Sequence, residues 1–338
     1  MRWYARHMSG QADTIEPFLA NPLWLAPMAG VTNRAFRTLC LEHGCGLTCT
    51  EMVSAAGLAY GNAATWELTE PADAEGKVAV QLFGSDPALM AREAVAVARR
   101  LGERLALVDV NMGCPVRKVV GKGEGAALMR EPLRAAEIVS AIVSALDEAG
   151  PGGAVASLGG RAVPVTAKFR SGWESGEGSA VDFARRLEEA GASMLAVHGR
   201  SAAQMYSGRA DWDVIADVAA AVCLPVAGSG DVFSHGAACS MLEETGADAV
   251  LVARGARGNP WVFSGADPTP GMRADAMRRY LDLYCQAFGE GHLAPLRSQL
   301  SFFVRGTCGA SGLRRRLAQA TVHADFETVC DAVGEGSS

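Results

Sequence analysis

The chain has 338 residues, of which 49% are hydrophobic and 20% are charged. These proportions are typical of a globular protein and exclude the disordered and fibrous classes. The length allows one large α/β barrel, which typically takes roughly 250 residues, together with a smaller appendage. The formal net charge of −6 argues mildly against a nucleic-acid partner, because phosphate binding depends on clustered Lys and Arg.

The cysteines and the hydropathy of the sequence bear on its disulfides, its metal sites and its cellular compartment. Nine cysteines are scattered without CxxC pairs or regular spacing. This pattern disfavours a disulfide framework and a zinc site, so we expect no metal. No apolar run approaches the ~20 residues needed to cross a bilayer, and the N-terminus lacks a signal-peptide pattern. We therefore expect a cytoplasmic protein with no membrane partner.

Short apolar, β-branched runs recur along the chain, and each is followed by a stretch with helical spacing. Several runs are apolar without alternation, as expected for parallel strands that are buried on both faces. Eight such units predict an α/β fold, a (β/α)8 TIM barrel. The predicted strands are residues 23–27, 47–51, 78–83, 107–111, 165–169, 194–198, 225–229 and 249–253. The Gly-rich linker 150–161 is predicted to be a peripheral loop at the other end of the barrel.

The strand pattern stops near residue 264, and a run of Pro and Gly precedes helical spacing. We expect a barrel domain over residues 1–263 and a small all-helical domain over 264–338. The predicted helices cover residues 272–288, 294–305 and 313–320. Because they are short, they are expected to dock on the barrel or on a partner to bury their apolar faces.

Polar or reactive residues follow nearly every predicted strand. The carboxyl ends of barrel strands form the active site in enzymes with this fold. A lone residue of this kind, such as His198, is more often structural, but seven such strand ends are hard to explain by packing. In chain order these ends supply Pro27 and Met28, Gln81, Asn111 and Cys114, Lys168 and Arg170, His198 and Arg200, Ser229 with Gly230 and Asp231, and Arg254.

The last two strand ends have the features of a phosphate site. Gly-rich turns that lead into helices offer backbone N–H groups and a positive dipole end, and barrels often bind phosphate there. Gly230-Asp231 and Arg254-Gly255 fit this description. Ordinary tight-turn glycine remains the alternative.

The late part of the chain is locally basic. Between residues 293 and 324 the charged residues are all arginine: Arg297, Arg305, Arg314, Arg315 and Arg316. This run is a candidate nucleic-acid footprint, and a solvated helix face is the alternative.

Four segments together resemble the tRNA-dihydrouridine synthase family, in particular its bacterial B-type branch. They read APMAGVT from residue 26, DVNMGCP from residue 109, KFRSGW from residue 168 and VHGR from residue 197. The similarity runs in order from about residue 24 to residue 263, and the NMGCP segment is highly specific.

The resemblance implies an FMN site and a tRNA substrate. Pro27, Met28 and Ala29 would line the flavin, Gln81 would bind its pyrimidine edge, and Lys168 and His198 would also contact it. The phosphate would lie at Ser229, Gly230, Asp231, Ala253 and Arg254. Asn111, Arg170 and Arg200 would lie near the uridine and the tRNA backbone. NADPH, or NADH, would be the reductant, although no separate dinucleotide fingerprint is visible.

The implied reaction explains why a cysteine follows the fourth strand. Reduction of the uracil 5,6 double bond needs a hydride at C6, which reduced FMN would supply, and a proton at C5. A thiol is largely protonated at neutral pH and can act as a general acid, so Cys114 is the predicted proton donor. The alternative is a small buried hydrophobe, which we favour for the other cysteines. The Gly-rich segment 119–126 resembles the mobile active-site loop of the family, which could close over an extracted base.

Four positions depart from the family pattern. Ser229 replaces the usual Asn and Ala253 the usual Gly at the phosphate site, and both are expected to be tolerated if φ of Ala253 is negative. Ser201-Ala202 replaces the usual Thr-Arg and removes one expected phosphate contact. Two alternatives stay open: an FMN barrel that acts on a free small molecule, such as a dihydroorotate or dihydropyrimidine dehydrogenase, and a catalytically weakened tRNA-binding protein. We expect a monomer.

Overall fold

The computed structural model describes residues 15–150 and 163–336. The predicted linker 150–161 therefore lies, from residue 151 onward, outside the described residues.

The described residues contain nine parallel strands in one sheet. They are β1 (Leu23–Leu25), β2 (Leu47–Thr48), β3 (Val53–Ser54), β4 (Val78–Phe83), β5 (Leu105–Met112), β6 (Val165–Arg170), β7 (Met194–His198), β8 (Val226–Ser229) and β9 (Ala249–Val252). Their order in the sheet is β2-β1-β9-β8-β7-β6-β5-β4-β3. β2 covers residues 47 and 48 of the predicted second strand 47–51, Cys49 bridges to Ala79 of β4, and β3 begins beyond the predicted end. Because β2 and β3 are consecutive pieces of chain, this bridge closes the sheet, and the predicted TIM barrel is confirmed.

One set of helices surrounds the barrel, and a second set comes after the last strand in the sequence. Their starts carry local signals: Asn33 accepts a hydrogen bond from the Phe36 N–H, and Asp86 accepts one from the Leu89 N–H. Those around the barrel are Glu16–Leu19, Arg34–Glu42, Ala55–Ala59, Ala63–Glu67, Pro87–Leu101, Arg117–Val120, Pro132–Ala149, Ala180–Glu189, Trp212–Ala221 and His235–Thr245. The later ones are Pro270–Phe288, Ala294–Leu300, Ala310–Gln319 and His323–Gly334.

The helices after residue 264, here called the helical segment, dock on the barrel as predicted. The ring of Tyr280 packs 5.6 Å from that of Phe36 on the helix Arg34–Glu42. The Asn33 side-chain amide donates to the Tyr280 hydroxyl at 3.1 Å, and that of Gln299 donates to the Gly30 carbonyl at 2.9 Å. The helical segment therefore shares a hydrophobic core with the barrel. The domain boundary near residue 264 stays a prediction.

The interior of the barrel holds a second, smaller core. Trp24, Ala106 and Ala227 belong to it, and each is at most 5% exposed. Trp24 lies toward the amino ends of the strands, where its indole N–H donates to the Asn21 carbonyl at 2.9 Å. This apolar layer surrounds a small space of about 30 Å³, so a ligand is expected at the carboxyl ends of the strands.

Three general properties bear on function. In the described ranges no helix has the length and apolarity to span a membrane. Across the same ranges no group of three or more His, Cys, Asp or Glu side chains is placed to hold a metal ion. All nine cysteines are free thiols.

Candidate active site

A cavity of about 490 Å³ opens at the carboxyl ends of the strands. Apart from Arg200, every candidate site residue from the sequence lines it. These residues are Pro27, Met28, Ala29, Gln81, Asn111, Cys114, Lys168, Arg170, His198, Ser229, Gly230, Asp231, Ala253 and Arg254.

Strand register explains why these side chains meet. Alternate residues of a strand face the same side, so Lys168 and Arg170 of β6 both point toward the cavity. Across the sheet Asn111 pairs with Lys168, Arg170 pairs with His198, and His198 pairs with Ser229. Adjacent register positions therefore place an amide, two cations and an imidazole around one space.

A chain of buried amide and carboxylate groups leads from the barrel interior to the cysteine. The Gln81 amide nitrogen donates to Asp109 Oδ2 at 2.7 Å, and Gln81 Oε1 accepts from Asn111 Nδ2 at 2.7 Å. Asn111 Oδ1 in turn accepts from the backbone N–H of Cys114 at 3.0 Å. We call Asp109, Gln81 and Asn111 the amide relay. Its three members are at most 8% exposed.

The carboxylate fixes the direction of the amide relay. An ionised Asp109 only accepts hydrogen bonds, so Gln81 must turn its NH₂ toward it and its oxygen toward Asn111. Thr166 also donates to Asp109, at 2.6 Å. Burial raises the pKa of Asp109, while the hydrogen bonds from Thr166 and Gln81 oppose that rise. The relay thus orients the turn that carries Cys114.

Cys114 itself is half-buried at the wall of the cavity. Its carbonyl accepts from the Ala126 N–H at 2.9 Å, and Arg170 Nε donates to the neighbouring Gly113 carbonyl at 2.7 Å. The segment predicted as a Gly-rich loop has more regular structure than expected, because residues 117–120 are α-helical and residues 125–130 form a 3-10 helix. Contacts from both sides therefore hold the thiol-bearing turn.

Lys168 supplies a cation to the cavity. Burial, followed by the nearby charge of Arg170, lowers its pKa to about 8, although Asp109 opposes this shift. Within residues 15–150 and 163–336 its ammonium group has no hydrogen-bond or ion-pair partner. A half-buried cation without a protein partner favours an anionic or electron-rich ligand.

His198 is held as a neutral ring. Burial, and then the charges of Lys168, Arg170, Arg200 and Arg254, lower its pKa well below the usual value. Its Nδ1 accepts a hydrogen bond from the Arg200 backbone N–H at 3.1 Å. The ring proton must then be on Nε2, which makes this nitrogen a hydrogen-bond donor.

Arg200 lies beneath the cavity rather than in its wall. It is 2% exposed and binds both carboxylate oxygens of Asp231, at 2.6 and 2.7 Å. Arg254 contacts the same carboxylate at 3.1 Å. Burial would raise the pKa of Asp231, but the hydrogen bond from Arg200 and one from the Ala210 N–H lower it overall. Asp231 thus bridges the turns after β7, β8 and β9.

The turns after β8 and β9 approach each other closely. A Cβ on Gly255 would lie 2.1 Å from the Val232 carbonyl oxygen, so only glycine allows this approach. Ala253 has φ of −108°, the negative value that its replacement of glycine required. The Ser229 hydroxyl donates to the Leu251 carbonyl at 3.3 Å, so its proton is engaged within the protein. The groups available to bind an anion here are therefore the backbone N–H groups of these turns and the Arg254 side chain.

Sequence reasoning missed several residues of the cavity wall: Met52, Val116, Tyr206, Phe233 and Arg257. They lie in loops beyond the strand ends, where hydrophobic periodicity gives no signal. Exposure does mark three of these apolar residues, since Val116 is 46%, Tyr206 55% and Phe233 52% exposed. Tyr206 and Phe233 are aromatic. Both rings flank Arg254, with its guanidinium carbon 5.4 Å from each centroid.

The fold and site define a TIM-barrel enzyme with a cysteine, a lysine and a histidine around one cavity at the strand ends. Residues 24–332 match the sequence pattern of the dihydrouridine synthase (Dus) family. The chain belongs to this family, whose members are flavin-dependent oxidoreductases.

Curated relatives agree with the family assignment. A probable tRNA-dihydrouridine synthase 1 of Synechocystis sp. is 36% identical over 306 residues, which cover 87% of this chain and 81% of the relative. A tRNA-dihydrouridine synthase B of Pseudomonas aeruginosa is 40% identical over 250 residues, which cover 74% of this chain and 70% of the relative. The resemblance found in the sequence is thus confirmed.

A solved structure shows the same fold at low sequence identity. DHODH from Eimeria tenella, in complex with ferulenol, superposes with a TM-score of 0.52 at 13% identity and covers 77% of this chain and 81% of that chain. This likeness supports the barrel alone.

Proposed function

We propose that this protein reduces the 5,6 double bond of specific uridines in tRNA to give dihydrouridine. The names of the curated relatives support this substrate and reaction. The observation that carries the proposal is the convergence of Cys114, Lys168 and His198 on one cavity, with the amide relay bound to the cysteine turn. A cavity that contains a proton donor and an unpaired cation suits reduction of a polar double bond.

The residues present fit FMN as the cofactor. After its two bonds within the relay, Gln81 keeps one amide N–H and one lone pair, which match the adjacent donor and acceptor of a pyrimidine edge. Lys168 adds a cation, and Arg254 and the turn at Gly255 suit the phosphate. Pro27, Met28 and Ala29 would lie along the ring. Bound FMN supplies the hydride for uracil C6, and we propose NADPH, or NADH, as its source.

Cys114 is the proposed general acid. Its thiol would give its proton to C5 of the uracil, and the amide relay would hold the turn so that the sulfur faces the base. Asn111 and Arg170 are the proposed neighbours of the uridine, because both line the cavity beside Cys114. His198, neutral and with its proton on Nε2, would donate a hydrogen bond without adding charge.

Arg200 is better suited to positioning than to direct RNA contact. It is buried and shares Asp231 with Arg254. We propose that Arg200 and Asp231 set the position of Arg254, which then faces the cofactor phosphate. Since the described residues of one chain supply the cavity lining, we also propose a monomer, which would act in the cytoplasm on tRNA.

The test is conversion of tRNA by the purified flavin-loaded protein. We expect dihydrouridine at defined positions of tRNA isolated from cells that lack this enzyme, with NADPH consumed in equal amount. Mass spectrometry of the digested tRNA would map the positions. Turnover of dihydroorotate or free uracil instead, with unmodified tRNA unchanged, would favour the small-molecule alternative. A protein that cannot be reconstituted with FMN would exclude both enzymatic functions.

Replacement of the cysteine tests the proposed acid. Cys114→Ala should keep flavin and tRNA binding but lower kcat by roughly 100-fold or more, the usual contribution of a general acid. Cys308→Ala, which removes an exposed thiol of the helical segment, is the matched control and should retain full activity. Near-normal turnover of Cys114→Ala would remove Cys114 from the role of proton donor.

A further inference from the structure

Two arginines stack on one aromatic ring where the barrel meets the helical segment. Arg257 lines the cavity, and its guanidinium carbon lies 3.5 Å from the centroid of the Phe302 ring. The guanidinium carbon of Arg305 lies 4.3 Å from the same centroid. We call Arg257, Phe302 and Arg305 the basic stack. It joins a cation of the barrel to a cation of the helical segment.

The backbone holds the basic stack in place. Gly258 has φ of +70°, and a Cβ there would lie 2.3 Å from the carbonyl carbon of Phe302. The loop after β9 and the chain at residue 302 are therefore in direct backbone contact. Since both guanidinium groups rest on a ring fixed in this way, less side-chain entropy is lost when they bind a ligand.

The positive charge of the basic stack is not compensated within the protein. Over the two described ranges, neither Arg257 nor Arg305 has an ion-pair partner, and Arg257 Nε is buried without a hydrogen-bond partner. The nearby Arg254 shares the carboxylate of Asp231 with Arg200. The positive charges of Arg254 and Arg305 both act on Arg257. Because like charges repel each other, a bound anion would stabilise these three arginines.

We propose that Arg257 and Arg305 bind a phosphate of the RNA strand next to the uridine that enters the cavity. The inference rests on the proposed function and assigns part of its tRNA contact. Arg305 is exposed and lies outside the cavity lining, so the pair extends from the cavity wall to the outer surface. That is the path of a strand whose base is inserted, whereas the cofactor phosphate suits the enclosed turns at Gly230 and Gly255.

Exposed aromatic rings at the same opening support an RNA ligand. Tyr206 and Phe233 line the cavity yet are more than half exposed. Rings beside guanidinium groups are the combination that binds single-stranded nucleic acid, because bases stack on the rings while cations hold the backbone. Both rings flank the Arg254 guanidinium and keep more than half of their surface open to a base.

The experiment measures tRNA affinity of the holoenzyme as a function of salt. Arg257→Gln and Arg305→Gln should each weaken tRNA binding roughly tenfold, the cost of removing one charged hydrogen bond. Each should also reduce the slope of log K against log salt by about one. Arg257→Lys, which keeps the charge, should retain the wild-type slope. Bound FMN should stay at the wild-type level in all three.

Arg99→Gln is the matched control, since it removes the same charge from an exposed position on the barrel helix Pro87–Leu101. It should leave the slope unchanged. Unchanged tRNA binding by both Arg257→Gln and Arg305→Gln would overturn the proposal. Loss of FMN from Arg257→Gln would also overturn it, by assigning the site to the cofactor phosphate. A wild-type protein that makes no dihydrouridine would refute the proposed function separately.

Discussion

Lys168 shows how one half-buried cation prepares the cavity for a ligand. Its pKa of about 8 means that the ammonium form is retained at neutral pH despite burial, with no protein partner among the described residues. The unfolded chain would hold this proton up to a pKa near 10.4. From about pH 8 to that value the unfolded state binds more protons, so release of the buried charge raises stability as pH increases.

Ligand binding should depend on pH in the opposite sense. If charged Lys168 donates to FMN, bound cofactor raises its pKa, and affinity should fall as pH increases above about 8. We expect roughly a tenfold loss per pH unit just above this point, the limit for one linked proton. Fluorescence titration of the apoprotein with FMN, repeated between neutral and alkaline pH, measures how the affinity for FMN changes with pH.

Two variants make the assignment specific to this lysine. Lys168→Met should bind FMN more weakly at neutral pH and show no loss of affinity near pH 8. Lys168→Arg keeps a charge at every pH tested and should remove the pH dependence while retaining much of the affinity. If the wild-type pH profile persists in both variants, the titrating group lies elsewhere.

At the scale of the strands, β4, β5 and β6 act together through Asp109. Thr166 and Gln81 donate to its two different oxygens, so each carboxylate oxygen has its own donor. An amide in this place has one accepting oxygen, which leaves one buried donor unsatisfied. The same substitution removes the constraint on the orientation of Gln81 and, through Asn111, on the cysteine turn.

Asp109→Asn should therefore reduce both stability and turnover. We expect a loss of about 1–3 kcal/mol of unfolding free energy, the cost of an unsatisfied buried group. Turnover should fall about tenfold while KM for tRNA is nearly unchanged, because the relay positions Cys114 rather than binding RNA. Thr166→Val is the control: it also disturbs Asp109 but leaves the relay intact, so it should lower stability without the loss in kcat. Equal kcat losses in both variants would contradict a positioning role.

The sequence predicted the strands well because their residues are buried on both faces. The bounds of β4 and β7 match the expected ones, and cavity residues such as Lys168 followed from strand ends alone. The break between β2 and β3 was not predicted, since a bridge at Cys49 depends on closure of the ring. The helix His323–Gly334 was also missed, because its buried face forms against the helices Pro270–Phe288 and Ala310–Gln319 of the assembled fold.

Side-chain partners were beyond what the sequence could reveal. Arg200 follows a strand as an RNA-binding residue would, but a carboxylate distant in sequence holds it beneath the cavity. Arg257 carried no motif, and its contact with Phe302 needs the helical segment to be docked. Local patterns thus locate strand ends, whereas pairings between loops depend on the assembled fold.

At the scale of the whole molecule, a net charge of −6 opposes binding of negatively charged RNA. RNA contacts are therefore expected at surface regions where basic residues cluster. The helix Ala310–Gln319 provides one concentration of charge, because Arg314, Arg315 and Arg316 are all exposed. Arg314 and Arg316 also make local bonds, to the carbonyls of Ala310 and Thr328. These bonds are solvent-exposed and do not prevent the arginines from reaching a phosphate.

Substitution of the three residues by Gln should weaken tRNA binding and lower its salt slope by up to about three, one for each phosphate that is no longer neutralised. The matched control replaces Arg99, Arg134 and Arg185, exposed arginines on three barrel helices, and changes the net charge equally. Filter binding over a range of salt concentrations gives both slopes. A footprint on this helix predicts a lower slope for the first triple variant alone. Equal slopes in the two variants would mean that the arginine run acts only through overall charge.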